Sequence, residues 1–189
     1  TGHILQFGSE EQKQKYLPKL ATAEFIGSWG LTEHNTGSDS ARMSTTAVRD
    51  GDEWVINGHK IMTSNGNRAD FLVVMCKTEE DGDEGGANSK MTQIIVPTDS
   101  PGLTKVRSVP IWGHTGGDHM EIKYENVRVP LENALGARGS GHQAAQDRLG
   151  AGRVYHCMNT IGQMWRAFDF MVKYSTEREV HGGKLESKQ

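Results

Sequence analysis

Two cysteines, Cys76 and Cys157, are the only thiols in the 189 residues, and they stand far apart with no Cys-x-x-Cys pair. That excludes a disulfide framework and a thiolate zinc knuckle, and it points to a reducing, intracellular compartment. Long apolar runs are lacking too: none approaches the roughly 20 residues that span a bilayer, so no membrane span is expected. Positive charge is not in excess. Lys and Arg number 21 against 24 Asp and Glu, a formal net charge of −3, without the basic surplus that neutralising phosphates requires. Nucleic acid is therefore not the expected partner. What is present is an ordinary globular composition, 35% in the apolar set plus 23 glycines. A chain of this length can bury roughly two thirds of its unfolded surface in one domain or two small ones.

Ser9 followed by Glu10, Glu11 and Gln12 is a helix N-terminal signal, a cap hydroxyl with Gln at the capping-box position. Tyr16, Leu17 and Leu20 are its expected buried edge, and Pro18 predicts a stop or bend near Leu17. From Ser44 the period becomes two. Thr45 to Arg49, the turn Asp50-Gly51-Asp52 and Glu53 to Asn57 read as a hairpin, and Asn57-Gly58 as a second turn before Lys60-Ile61-Met62. Phe71 to Thr78, Met91 to Pro97, Leu103 to Val109 and His119 to Tyr124 are further strands. Many short strands between turns predict a β-barrel or sandwich, and the acidic, glycine-rich stretch Glu79 to Ala87 a surface loop.

From Ser140 onward Val154, Met158, Ile161, Trp165, Phe168 and Val172 recur at spacings of 4, 3, 4, 3 and 4, one stripe of a long helix. Its apolar seam needs another helix beside it. The chain opens at Thr1 without Met and ends at Gln189 in a charged stretch read as helical, so it is expected to be a piece of a longer polypeptide. His114 to His119 holds two His and an Asp but reads as a glycine-rich turn, and no metal site is predicted. Gly136 to Gly141 lacks the spacing of a phosphate loop and reads as a linker into the helix.

Two segments can offer amides and hydroxyls to a polar ligand edge: Trp29 to Asp39, with a Gly37-Ser38-Asp39 turn, and Asn57 to Gly66, with Thr63 and Ser64 at its far end. In order and spacing they resemble the acyl-CoA dehydrogenase family, flavoenzymes that oxidise acyl-CoA thioesters to 2-enoyl-CoA. The resemblance starts at Gly8 to Pro18 and runs through Leu31-Thr32-Glu33, Gly37-Ser38-Asp39, Asn57-Gly58-His59-Lys60 and Asn126-Val127-Arg128-Val129-Pro130 to Arg178-Glu179-Val180-His181-Gly182. The later part, Arg148 to Arg153 with His156-Cys157-Met158, is most similar to the subgroup of acyl-CoA dehydrogenases 10 and 11.

The resemblance implies an α+β fold: the end of an N-terminal helical domain (1–27), a middle β-barrel domain (28–134) and the start of a C-terminal helical domain (135–189). It implies FAD, with Trp29, Gly30, Leu31, Thr32 and Ser38 at the isoalloxazine and Met62, Thr63 and Ser64 on its other side. Met62 stands where the family usually has Trp, so a thioether replaces a stacking ring. Arg178 and Gln189, eleven residues apart, match residues that reach the FAD of a neighbouring subunit, the Arg on its pyrophosphate. Ser38 would lie near the pantetheine and Ser89 near CoA, with Gly150 and Arg153 on the helix bordering the acyl cavity. Gly152 replaces the Glu that some members use as base, so no catalytic residue is expected here and the general base Glu is expected beyond Gln189. Implied partners are acyl-CoA, an electron-transfer flavoprotein and further copies in a homodimer or homotetramer, in a bacterial cytoplasm or a mitochondrial or peroxisomal matrix. An acyl-CoA oxidase, a nitroalkane-oxidase-like flavoenzyme and a non-catalytic binding or assembly module are the alternatives.

Overall fold

Capping at Ser9 takes the form its sequence predicts. In the computed structural model, which describes residues 1–79, 90–113 and 118–188, the Gln12 amide donates to the Ser9 hydroxyl and the Ser9 amide to the Gln12 side chain. Helix α1 spans Gly2–Phe7 and α2 spans Glu10–Ala21. Pro18 does not stop α2. Tyr16, Leu17 and Leu20 pack with Phe71, Val73 and Ile95, and this apolar edge outweighs the one hydrogen bond that proline forgoes.

The chain forms two compact units, Thr1–Ala145 and Gln146–Gln189. Strands of the first are β1 (Gly27–Gly30), β2 (Thr46–Asp50), β3 (Glu53–Ser64), β4 (Phe71–Glu79), β5 (Lys90–Pro97), β6 (Leu103–Ser108), β7 (His119–Pro130) and β8 (Ala134–Leu135). They pair in the order β6-β7-β3-β2-β4-β5-β8, with β1 parallel to β4. Strand β4 is buried on both faces. Leu72, Val74 and Cys76 join Ala47, Trp54, Ile56, Ile94, Ile122 and Val127 in one core. Phe71 and Val73 face the helical side, and Met75 packs with Met43, Met91 and Ala145. This explains why residues 71–76 read as an unbroken apolar run. Residues of five strands share the first core, so the sheet wraps around it.

The α+β class holds, but the barrel is open: among the described residues no pairing joins β6 to β8. Strand β8 is two residues long, and Gln12 of α2 donates to the carbonyls of Glu132 and Ala134 beside it, so a helix covers that end where a strand would otherwise continue. Strand β3 also differs from expectation, running straight through Asn57-Gly58. Asn57 is held to β7 by its side chain, which receives the Asn126 amide at 2.8 Å and donates to the Asn126 side chain at 3.2 Å. That cross-strand clasp replaces the turn. The ladder skips register after Ile56 and again between Lys60 and Thr63, where Met62 has φ of 61°. The second skip is a bulge, and it matters for the site.

Helix α3 (Gly141–Glu177) begins in the first unit and makes up the second from Gln146 to Glu177. The chain then leaves the helix, contrary to the helical reading of its last residues. A small hairpin of β9 (Glu179–Val180) and β10 (Gly183–Lys184) follows, turning at His181 and Gly182, both with positive φ. A glycine at the turn permits this where a helix would need negative φ.

Gly58 lies so close to Thr45 that an added Cβ would stand 2.6 Å from the Thr45 Cβ. Gly58→Ala is expected to destabilise the protein by about 1 to 3 kcal/mol, read as a lower urea midpoint with an unchanged m-value.

Candidate functional site

The two segments singled out by sequence lie side by side. Ser28 donates its hydroxyl to the Ser64 carbonyl. The Ile61 amide donates to the Thr32 carbonyl at 2.9 Å, and Lys60 Nζ donates to the Leu31 carbonyl at 3.0 Å. Residues 28–32 therefore run along the far end of β3.

A buried ion pair ties them. Lys60 Nζ is 2.9 Å from Glu33 Oε1, and their side chains are 0% and 5% exposed. The Glu33 carboxylate accepts four more bonds, from the amide and hydroxyl of Ser44 at 2.6 Å each and from the amide and hydroxyl of Thr45 at 3.0 and 2.6 Å. Burial alone would raise the Glu33 pKa, but the Lys60 charge and the Lys60, Ser44 and Thr45 donors outweigh it and lower it to about 2. Burial pulls the Lys60 pKa down, against the Glu33 charge that supports its proton. Nearby Cys76 is fully buried, and burial pushes its thiol up to about 12, so it stays protonated and inert.

The bulge sets which side chains of β3 face inward. Lys60 is buried, Met62 exposed, Thr63 buried and Ser64 exposed. Without it Met62 would follow Lys60 inward; with it, thioether and Ser64 hydroxyl share the open side. Ser64 Oγ lies 2.9 Å from Nδ1 of His119. The Thr63 hydroxyl is buried and has no hydrogen-bond partner among the described residues. Trp29, half-buried, stacks on His3 at 5.6 Å between ring centroids. A cavity of about 380 Å³ opens beside this region, lined by Glu33, His34, Asn35, Thr36, Arg42, Ser44 and His59.

Of the residues expected at a flavin, Trp29, Gly30, Leu31 and Thr32 are thus brought beside Met62, Thr63 and Ser64. Ser38 is exposed, in the turn preceding a short 3-10 helix at Ser40–Arg42. In the second unit, Gly150 and Arg153 lie on α3, Arg153 donating to Gln146 at 3.2 Å. Arg178 has an exposed side chain just past α3, its carbonyl receiving the Leu185 amide at 2.8 Å. Ser89 and Gln189, the loop at 80–89 and residues 114–117 of the histidine-containing turn lie outside the described residues.

The sequence motifs do not reveal the ion pair, although both partners stand inside segments that carry the resemblance. Its signal was phase: Lys60 shares the inward phase of β3 with buried Trp54 and Ile56, and a buried lysine requires a buried acid.

Comparison with known proteins covers nearly the whole chain. The acyl-CoA dehydrogenase middle-domain model matches residues 28–127, the N-terminal domain model 1–24 and the C-terminal domain model 139–189. A probable acyl-CoA dehydrogenase of Mycobacterium tuberculosis, FadE2, is 40% identical over 183 residues, 95% of this chain and 44% of that protein. Chicken (Gallus gallus) acyl-CoA dehydrogenase family member 11 is 32% identical over 95% of this chain and 24% of its own length. The structure of a glutaryl-CoA dehydrogenase from Mycobacterium smegmatis in complex with FADH2 superposes with a TM-score of 0.76 at 33% identity, covering 99% of this chain and 46% of that one. This chain spans less than half the length of each of these three.

Because the folded pKa of Glu33 lies below its ordinary 4.5, its contribution to stability is complete above about pH 4.5 and is lost as pH falls toward about 2. The gap corresponds to at most about 3 kcal/mol, part of which the burial of Lys60 offsets. Glu33→Gln is expected to be less stable at neutral pH by about 3 to 5 kcal/mol and to show a shallower loss of stability on acidification, both measured by urea unfolding across that pH range.

Proposed function

This chain belongs to the acyl-CoA dehydrogenase family, and from that premise we propose that it is the flavin-holding part of an enzyme that dehydrogenates an acyl-CoA thioester to its 2-enoyl form. The supporting observation is the juxtaposition of residues 28–32 with 60–64 through the Glu33–Lys60 pair. The exposed Met62 thioether and Ser64 hydroxyl, beside the backbone of residues 28–32, fit a flat, polar-edged, π-rich ligand. The cofactor is FAD, which when bound accepts the hydride that leaves the beta carbon.

The chain's own residues bind and orient. Trp29, Gly30, Leu31, Thr32 and Ser38 line one side of the ring, and Met62, Thr63 and Ser64 flank the other, Ser64 as hydroxyl donor and Met62 as packing surface. Arg178 holds pyrophosphate oxygens of a neighbouring subunit's cofactor together with Gln189. As the resemblance implies, Ser38 would contact the pantetheine, Ser89 the CoA moiety, and Gly150 and Arg153 the acyl cavity. Removal of the alpha proton needs a free carboxylate. Buried Glu33 is committed to Lys60, Ser44 and Thr45, and buried Glu121 to His34 and Arg107. Neither is free to take the proton, and the base is assigned, as the resemblance implies, to a Glu beyond Gln189.

Residues 1–27, 28–134 and 135–189 correspond in this reading to parts of the three domains. Within α3, Val154, Met158, Ile161, Trp165, Phe168 and Val172 are 46 to 68% exposed, as are Met164, Phe170 and Met171 on other sides. An apolar stripe of this length left exposed on one helix needs another helix against it, which supports assembly into a homodimer or homotetramer. Electrons pass onward to an electron-transfer flavoprotein.

Purified protein titrated with FAD is expected to quench flavin fluorescence and become yellow. Ser64→Ala is expected to weaken binding by a factor of a few to about ten, for one lost hydrogen bond, and Met62→Trp to tighten it by a similar factor through added stacking. The 189-residue chain is expected to show no turnover of acyl-CoA. Protein that stays colourless in excess FAD would favour a non-catalytic module, and turnover by this chain would overturn the assignment of the base.

A further inference from the structure

His34, His59 and Glu121 come from three separate elements, the loop after β1, β3 and β7, and their side chains meet at one point. We propose that they form a binding site for a single divalent transition-metal ion, zinc foremost. One donor atom from each residue lies within 4.8 Å of the other two. His34 Nε2 is 3.1 Å and His59 Nε2 2.9 Å from the same oxygen, Glu121 Oε1. Donors bonded to zinc at about 2.0 to 2.1 Å in tetrahedral geometry stand roughly 3.3 Å from one another. Each imidazole thus needs to part from the carboxylate oxygen by only a few tenths of an ångström, and the two imidazole nitrogens already lie within 4.8 Å of each other.

Orientation supports the same conclusion. The two imidazoles are not stacked but set edge to face, with centroids 4.9 Å apart and planes at 69°. Nε2 of His59 is buried and, among the described residues, makes no hydrogen bond despite its proximity to Glu121, so its axis passes beside that oxygen. A donor atom converging with its neighbours on a shared point is placed in this way.

The surroundings supply what a metal ligand set needs. Glu121 is only 8% exposed and sits between buried Met120 and Ile122 on β7, so its carboxylate is fixed. Arg107 Nε donates to the other oxygen, Oε2, at 2.6 Å, which orients the carboxylate and leaves Oε1 for the ion. The guanidinium charge opposes a cation, but its side chain is 54% exposed and water screens it. The imidazole side chains, 44 and 38% exposed, border the cavity of about 380 Å³, which gives an ion and its remaining water ligands a way in. Two His and one Glu with an open fourth position is the ligand set of hydrolytic zinc centres. The second acid on that cavity, Glu33, is held by Lys60 and does not compete for the ion.

Cobalt(II) is the probe, because its visible absorption reports coordination geometry, and zinc displaces it. Chelator-treated protein is expected to bind one Co²⁺ per chain with a tetrahedral-type spectrum that Zn²⁺ abolishes. His34→Ala and His59→Ala should each weaken binding by at least tenfold, and the double variant should lose the spectrum. Both histidines are partly exposed, so the variants should keep the wild-type melting temperature in chelator, measured alongside. Folded wild-type protein without a Co²⁺ spectrum would overturn the proposal. So would a double variant that binds as tightly as wild type, which would place the ion on other histidines such as His142, His156 or His181.

Discussion

A lysine with no exposed side-chain surface cannot stand in a strand without a counter-charge, and Lys60 obtains one from a loop almost thirty residues earlier. Glu33 in turn is satisfied only because Ser44 and Thr45 turn both amides and both hydroxyls toward it. The interaction fixes three stretches of chain at once: the loop after β1, the entry to β2 and the far end of β3. Each needs the others in place, since removal of one partner leaves a charge in the core at a cost of several kcal/mol. Tight packing at Gly58 belongs to the same constraint, because the Thr45 side chain it abuts is one of the groups that hold Glu33.

From that fixed point the bulge after Lys60 decides what the outer surface offers. With Met62 in the left-handed region, the strand reverses its inside and outside. A methionine and a serine then face outward, while the Thr63 hydroxyl is left inside without a partner among the described residues. A left-handed conformation at a residue with a long side chain costs about 1 to 3 kcal/mol and persists where surrounding structure over-determines it. Here the hydrogen bonds of Ile61 to Thr32 and Ser28 to Ser64 flank the bulge on both sides. The second charge cluster, on Glu121 of β7, stands one strand away, beside His59 of β3.

Much of this architecture is written in local patterns. Ser9 and Gln12 announce a capping box, alternation announces β2 and the first half of β3, and the stripe from Val154 to Val172 announces α3. What local pattern misses is tertiary in origin. Pro18 argues against a helix that packing sustains, and Asn57-Gly58 reads as a turn because the partner that straightens it, Asn126, is 69 residues away. Strand β1 is four residues long and pairs parallel with β4, so no hairpin signal marks it. The site shows the same division. Motif resemblance located the segments that meet, but neither the charge pair that joins them nor the His34–His59–Glu121 group, whose members are spread over 88 residues, has a signature in any one segment.

In the proposed flavin site the Glu33–Lys60 pair holds residues 28–32 against 60–64. A double-mutant cycle with Glu33→Gln, Lys60→Met and the combined variant, read as FAD dissociation constants on folded protein, tests that role most directly. Strong coupling is expected: each single substitution weakens FAD binding at least tenfold, and the pair together weakens it less than the product of the two, because the double variant leaves no buried charge alone. Additive effects, or wild-type FAD affinity in the single variants, would contradict it.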